Sequence, residues 1–329
     1  MDIRIFNREL RFSAVCDRIL SLRATEEFAG AGSFTLRVPL AGAARFDTDR
    51  ILRFPGLDGD FVIHTVRHDS AAGTAVIAGS GVLSMFGRRI LTEPLTRSGA
   101  AETLLCELAQ TWGGAVLPGT LTTEYTGIDA AVNAATGHVP LLTAMDEICA
   151  AAGLGMQLRF DADTRGFRFA VRKRRTVPLF LSRSAGNLRG VTRLWDLSRY
   201  KNRVIVQGNG GHVVTVDAAG LFDDGVDDAA QALREEWSDA TELAMDRYET
   251  EEAYREALAA RGRRILAQHR PRQSLTVQVS EETARQLSPG DVCPVTDDSF
   301  GVQAQALCAA RTVTYSGGET SYEVTMHVL

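Results

Sequence analysis

The sequence predicts a β-rich α+β protein in which two strand-rich blocks flank a small α/β region and a charged helical insertion. Three observations carry that reading. Short segments alternating apolar and polar residues fill positions 1–95. Two helical segments, the second running straight into an alternating hairpin, occupy 96–187. Alternation then returns over 188–215 and 274–329, on either side of charged, helix-like sequence at 216–273. A chain of 329 residues exceeds the roughly 250–300 that one hydrophobic core organises, so two to four domains are expected.

In the first block, "DIRIF" and "RILSLRA" alternate, and "GSFTLRVPL" puts Phe34, Leu36 and Val38 on one face. "DFVIHTVRHDS" sets Phe61, Ile63, Thr65 and Arg67 against Val62, His64 and Val66, and "GTAVIAGSG" follows a glycine turn. Five or six such strands, punctuated by Gly, Asp and Pro, read as a small barrel or sandwich.

The next region changes character. "SGAAETLLCELAQTWGG" is apolar at 101, 104, 105, 108 and 112, with Ser98 as expected N-cap and Gly113 as stop. "VPLLTAMDEICAAAGLG" is apolar at 141, 142, 145, 148 and 149 and ends at Gly153, before the hairpin "GMQLRFDADTRGFRFAVRK". Helices lying on a short sheet are the expected arrangement.

Beyond 187, "RVIVQGNGG" reads as a strand and hairpin turn, with "HVVTVDA" as the returning arm. "DDAAQALREEWSD" and "ETEEAYREALAARGRRILAQH" read as helices, the second stopped by Pro271. Asp227 or Asp228 is expected to favour the first helix's positive N-terminus. "SLTVQVS", "GDVCPVT" and the final segment through "SYEVTMHVL" are strands, the last two joined at "SGGE".

Composition narrows the function. Apolar residues make up 45%, enough for a packed core, and the net charge of −5 gives no global footprint for nucleic acid. Five widely spaced cysteines (Cys16, Cys106, Cys149, Cys293 and Cys308) form no CxxC pair and read as buried thiols of a reducing cytoplasm. The six histidines show no metal spacing, so neither metal nor cofactor is expected. No basic-then-apolar leader opens the sequence and no apolar run approaches 18 residues, so a protein made in the cytoplasm without membrane insertion is expected.

Catalytic signatures do not assemble. "QGNGG" lacks the Lys and Ser/Thr of a phosphate loop, and "DADTRG" lacks calcium-loop spacing and sits between two strands. The acidic "LFDDGVDD" reads as a solvated loop, and "GSGVLS" is no nucleophile elbow. No catalytic residue is assigned. Four basic clusters remain: "GRRIL", "VRKRRT", "SRYKNR" and "ARGRRIL".

Several stretches carry a resemblance. "MDIRIFNRELRFSAVCDRILSLRATEEFAGAGSFTLRVPL", "GDFVIHTVRHD", "IAGSGVLSMFGRRIL" and "SRYKNRVIVQG" together resemble the tail-hub proteins of siphophages and prophages, which are similar to baseplate hubs and to the N-terminal part of tail-associated lysins. The matches span residues 1 to about 210 and grow weak over 215–273.

The resemblance implies two tube-like β-barrel domains, a small α/β domain and a helical insertion. The barrels would be 1–95 and 188–215 with 274–329, the α/β domain 96–187 and the insertion 216–273. It also implies a homotrimeric ring that closes the distal end of a phage or tailocin tail tube. Implied partners are the tail tube or distal tail protein, the tape-measure protein and a tip, spike or fibre protein, with DNA passing the lumen without specific binding. The implied location is the virion tail or baseplate, after synthesis in the bacterial host cytoplasm. Arg88, Arg89, Arg199, Tyr200, Lys201 and Asn202 are the expected interface residues, since arginine forks hold carboxylates while their stems pack on apolar surface. Two rival readings are a cell-wall-degrading tail-tip enzyme, which peptidoglycan zymography would reveal, and a receptor- or carbohydrate-binding tail protein, which a glycan array would reveal.

Overall fold

The structure, a computed structural model, describes residues 2–93, 95–136, 138–222, 226–298 and 301–329. Two compact units emerge. The larger comprises Met1–Thr192 with Leu275–Leu329, and the smaller Arg193–Ser274.

The larger unit opens with seven strands: β1 (Ile3–Phe6), β2 (Phe12–Cys16), β3 (Ser21–Glu27), β4 (Ser33–Pro39), β5 (Ile51–Arg53), β6 (Asp60–Asp69) and β7 (Thr74–Gly81). Alternation on β4 is as the sequence suggests: Phe34, Leu36 and Val38 are buried while Ser33, Thr35 and Arg37 face out. Strand β6 departs from simple alternation because both of its faces are covered. Phe61 and Ile63 enter a core with Phe34 and Phe54, whereas Val62 enters a second core shared with the α/β elements. Past Ile63 the register shifts against β7, and the rest of the strand is largely exposed.

The α/β part contains β8 (Leu95–Ala100), α1 (Ala101–Leu108), β9 (Thr120–Glu124), β10 (Ala131–Thr136), α2 (Leu141–Ala152), β11 (Gly155–Asp161) and β12 (Gly166–Arg172). Strands β11 and β12 form the expected hairpin, with β9 added in parallel to β12. Helix α2 ends at Gly153 with φ of 66°, a left-handed conformation that glycine adopts without penalty. The expected Ser98 cap is corrected. Ser98 sits opposite Asn133 in the β8–β10 ladder, so strand pairing claims the segment and the helix begins only at Ala101. Helix α1 then widens into one π turn over Ala109–Gly113. A Cβ on Gly113 would lie 2.6 Å from the Phe86 ring, so the close approach there excludes larger residues.

The C-terminal part of this unit has β13 (Arg175–Thr176), β14 (Leu181–Ser182), the start of β15 (Leu188–Asp196), most of β19 (Arg272–Val279), α4 (Glu281–Gln286), β20 (Asp291–Asp297), β21 (Val302–Ser316) and β22 (Glu319–Val328). Hairpin β21–β22 turns at Gly317–Gly318, as "SGGE" suggests. The two strand-rich blocks join. Strand β21 pairs antiparallel with β3 from Ala310↔Glu27 to Ser316↔Ser21, and the Thr25 and Thr312 hydroxyls meet at 2.9 Å. A single sheet path therefore runs β15-β19-β22-β21-β3-β4-β7-β6-β5-β1-β2, with its ends on β15 and β2.

The smaller unit is a three-stranded sheet of β16 (Arg203–Gly208), β17 (Val213–Asp217) and β18 (Glu235–Ala240), covered on one face by α3 (Glu251–Gln268). "QGNGG" is the expected turn between β16 and β17. Among the described residues, β16 and β17 pair with each other and β16 with β18, and neither pairs with a strand of the 14-stranded sheet. The first expected helix is also corrected. "DDAAQALREEWSD" forms one short turn at Asp228–Ala230 and then β18, since parallel pairing to β16 overrides the helix-forming composition. Helix α3 forms as expected, capped by Thr250, whose hydroxyl accepts from the Ala253 amide. Tyr254 on α3 pins the glycine turn: its hydroxyl accepts from the Asn209 amide at 2.6 Å and donates to the Leu243 carbonyl at 2.9 Å.

Candidate functional site

The six expected interface residues fall on different units. In the larger unit, Arg88 is exposed and its guanidinium pairs with Asp49 at 2.7 Å. Arg89 is half-buried, its guanidinium 5.0 Å from the centre of the Trp112 ring, and its buried Nε has no hydrogen-bond partner. The backbone between them and α2 is fixed by the Leu141 amide donating to the Arg89 carbonyl. A short apolar turn after β7 thus delivers both arginines to the edge of the α/β core, with exposed Ile90 beside them.

In the smaller unit the motif "SRYKNR" divides. Tyr200 is only 2% exposed and donates its hydroxyl to Asp228, which Arg270 also holds at 2.6 Å. Asn202 is buried, donating to the Ala232 carbonyl and accepting from the Arg234 amide. Those two side chains therefore build the unit's interior. Lys201 donates to the Glu235 carbonyl and pairs with Glu236 at 3.0 Å. Arg199 is exposed, with its carbonyl held by His269. Asp228 does not act as a simple helix cap; Asp227 caps the short turn. Asp223 and Asp224 of the acidic loop lie outside the described residues.

Several arginines of the other basic clusters are also internally engaged. Arg175 holds Asp291 with two bonds of 2.9 and 3.1 Å, and Arg172 donates to the Pro289 carbonyl. Arg261 bridges Ser238, Glu242 and the Asp239 carbonyl, and Arg263 pairs with Glu256.

Sequence reasoning missed three buried charges that organise the larger unit. Arg311 on β21 is 4% exposed, pairs with Glu26 at 2.7 Å and Asp58 at 3.2 Å, and donates to the Ala284 and Leu287 carbonyls. Asp60 takes two bonds from Arg53 and one from the Phe160 amide, while Arg53 donates back to the Phe160 carbonyl, clasping β6 to β11. Glu102 accepts four bonds from the Thr126–Ile128 segment. Arg311 stands inside an alternating apolar strand, and that is the one signal the sequence offered.

The thiols are poor nucleophiles. All five cysteines are free and buried. Burial pushes Cys106 and Cys293 up to about 11 and Cys308 up to about 12, so none carries the thiolate that nucleophilic catalysis needs near neutral pH. Among the described residues, no group of three His, Cys, Asp or Glu is placed to hold a metal, and no helix is long and apolar enough to cross a membrane.

Asp146 lies on α2. Its Oδ1 is buried without a partner, and burial, reinforced by Glu27 and Glu147, pushes its pKa up to about 6. A folded-state pKa raised above the unfolded value means that folding favours the protonated form, so stability falls as pH rises from about 4 through about 6. Asp146→Asn is therefore expected to be more stable than the parent at pH 7, by on the order of 1 kcal/mol, and equal to it below about pH 4. Urea titrations at the two pH values check this.

No protein-family model and no curated protein matches the sequence. Solved structures do match. Prophage tail protein gp18 from Listeria monocytogenes EGD-e aligns over 99% of this chain and 94% of its own, with TM-score 0.56 and 15% identity. The 43 kDa tail protein of prophage MuSo2 from Shewanella oneidensis aligns over 99% and 98%, with TM-score 0.58 and 12% identity. A chain of the phage P2 baseplate in its activated conformation aligns over 99% and 98%, with TM-score 0.51 and 10% identity. The chain has the phage tail–baseplate fold. That fold spans both units, so the smaller unit is part of it although the sequence resemblance fades there.

Proposed function

We propose that this chain is a structural tail-hub protein that closes the distal end of a phage or phage-like tail tube. The observation that carries this reading is end-to-end likeness to tail and baseplate proteins, at 99% coverage of this chain and 94–98% of theirs. Three copies form a ring around the lumen. The N-terminal strands β1–β7 and the C-terminal strands β19–β22 of each copy serve as its two tube-building halves, so three chains present six such halves to the tube above. The hub has no catalytic residue of its own. It contacts the tail tube or distal tail protein, leaves the lumen open for DNA and the tape-measure protein, and carries the tip, spike or fibre, in the virion tail or baseplate.

Arg88 and Arg89 belong to the contact between copies. Arg88 supports that assignment with an exposed ion pair open to a second carboxylate, and exposed Ile90 adds apolar surface beside it. Light scattering over a concentration series, with and without the tail-tube neighbour, tests the reading. A trimer, or a monomer driven into a ring by the neighbour, supports it. A strict monomer indifferent to the tube protein overturns it. Arg88→Ala/Arg89→Ala is expected to lower the assembled fraction while costing the monomer no more than about 2 kcal/mol, the range of one exposed ion pair and one cation–π contact together.

A further inference from the structure

An open groove of about 910 Å³ lies over one face of β5, β1 and β2 in the larger unit, where Arg53, Arg4 and Val15 stand in cross-strand register, against the turn that joins β11 to β12. Strand β2 ends the sheet path: β1 lies on one side, and no strand pairs with the other among the described residues. The groove combines two kinds of surface. Its rim carries Arg4, Arg11, Arg53 and Arg165 against a single carboxylate, Asp163. Arg53 is committed to Asp60, whereas Arg4, Arg11 and Arg165 have no ion-pair partner among the described residues. Its floor is apolar and includes Phe12, which is 61% exposed and stands edge-on to Phe6 at 6.2 Å, and Val15.

Both surfaces lack their complement. Three unpaired guanidiniums around one groove repel one another, and each fork matches a carboxylate bidentately. An exposed phenylalanine and valine between them would be covered by aliphatic side chains. A phosphodiester backbone would answer the charges and leave the apolar floor bare. A polypeptide interleaving acidic and aliphatic residues answers both, and an extended one spans the three adjacent strands.

We propose that this groove is a docking seat for an extended, carboxylate-bearing segment of a partner polypeptide. The seat is independent of the hub reading, since the chain can trimerise with the groove empty or bind there as a monomer.

The test uses the full chain and a fluorescein-labelled peptide of interleaved glutamate and leucine, read by anisotropy. A peptide with lysine in place of glutamate serves as control. Binding of the glutamate peptide alone is expected, with at least a tenfold loss of affinity for Arg4→Glu/Arg11→Glu and at least a threefold loss for Phe12→Ala. Arg4→Gln/Arg11→Gln, which only removes charge, is expected to lose at least threefold and stands in if the reversed variant does not fold. The proposal is overturned if the glutamate peptide does not bind, if either arginine variant that folds binds it unchanged, or if Phe12→Ala has no effect. It is equally overturned if a labelled DNA duplex of the same charge binds more tightly and displaces the peptide.

Discussion

Arg311→Ala is expected to lower folding stability by about 3–5 kcal/mol, the usual cost of removing one partner from a buried pair. Nearly all of Arg311 is out of water, and so is most of Glu26, its main carboxylate. Truncation would leave that carboxylate buried without its counter-charge, and the Ala284 and Leu287 carbonyls without a donor. Glu26 also accepts from the Gly59 amide at 2.5 Å, so the disturbance spreads from the β3–β21 seam to the loop before β6. Against a total stability of about 5–15 kcal/mol, such a loss leaves a marginal protein. Denaturant titration reads the effect. The double variant Arg311→Ala/Glu26→Ala is expected to cost clearly less than the two single costs added, because it removes both charges together. Strict additivity would show that the pair does not act as a unit.

Glu102→Ala is expected to cost about 2–3 kcal/mol through a different route. Glu102 is 3% exposed at the start of α1, and its two oxygens satisfy the amides of Thr126, Gly127 and Ile128 together with the Thr126 hydroxyl. Thr126 and Gly127 are exposed, so without Glu102 the amides turn to water and the loss is that of the charge-assisted bonds themselves. Burial alone would raise the carboxyl's pKa, yet the four donors outweigh burial and hold it below the ordinary glutamate value. A lowered folded-state pKa stabilises above the unfolded value and stops doing so as pH falls through the folded one. The gap between parent and Glu102→Gln is therefore widest at neutral pH and narrows on acidification. Melting curves at neutral and acidic pH measure it, and a gap that grows on acidification would contradict the assignment.

Local pattern carried part of this architecture. Period-two alternation placed β4, β11 and β12, and the apolar spacing of α2 with its closing Gly153 placed that helix and its end. Pattern failed where a distant partner decides. Ser98 has a cap's chemistry, yet Asn133 draws it into a ladder. "REEWSDA" has helix-forming residues, yet β16 pairs with it in parallel. The seam between β3 and β21 joins segments some 287 positions apart, and no local signal reports such a pairing. The candidate site was legible to a similar degree. The basic corner at Arg88 and Arg89 could be picked out because two arginines interrupt an apolar turn, whereas Tyr200 and Asn202 look polar in sequence and prove to be interior supports. The arginine groove draws on residues 4–15, 53 and 162–165, a grouping that exists only after folding.

The seam has a consequence for the timing of synthesis. Strand β3 leaves the ribosome some 287 residues ahead of its neighbour β21. At about 5–20 residues per second, the exposed flank of β3 waits roughly 15–60 s for its partner. During that interval the nascent chain offers an unpaired strand flank to other nascent chains on the same message. The open flank is meanwhile shielded from premature pairing only by the ribosome and by chaperones.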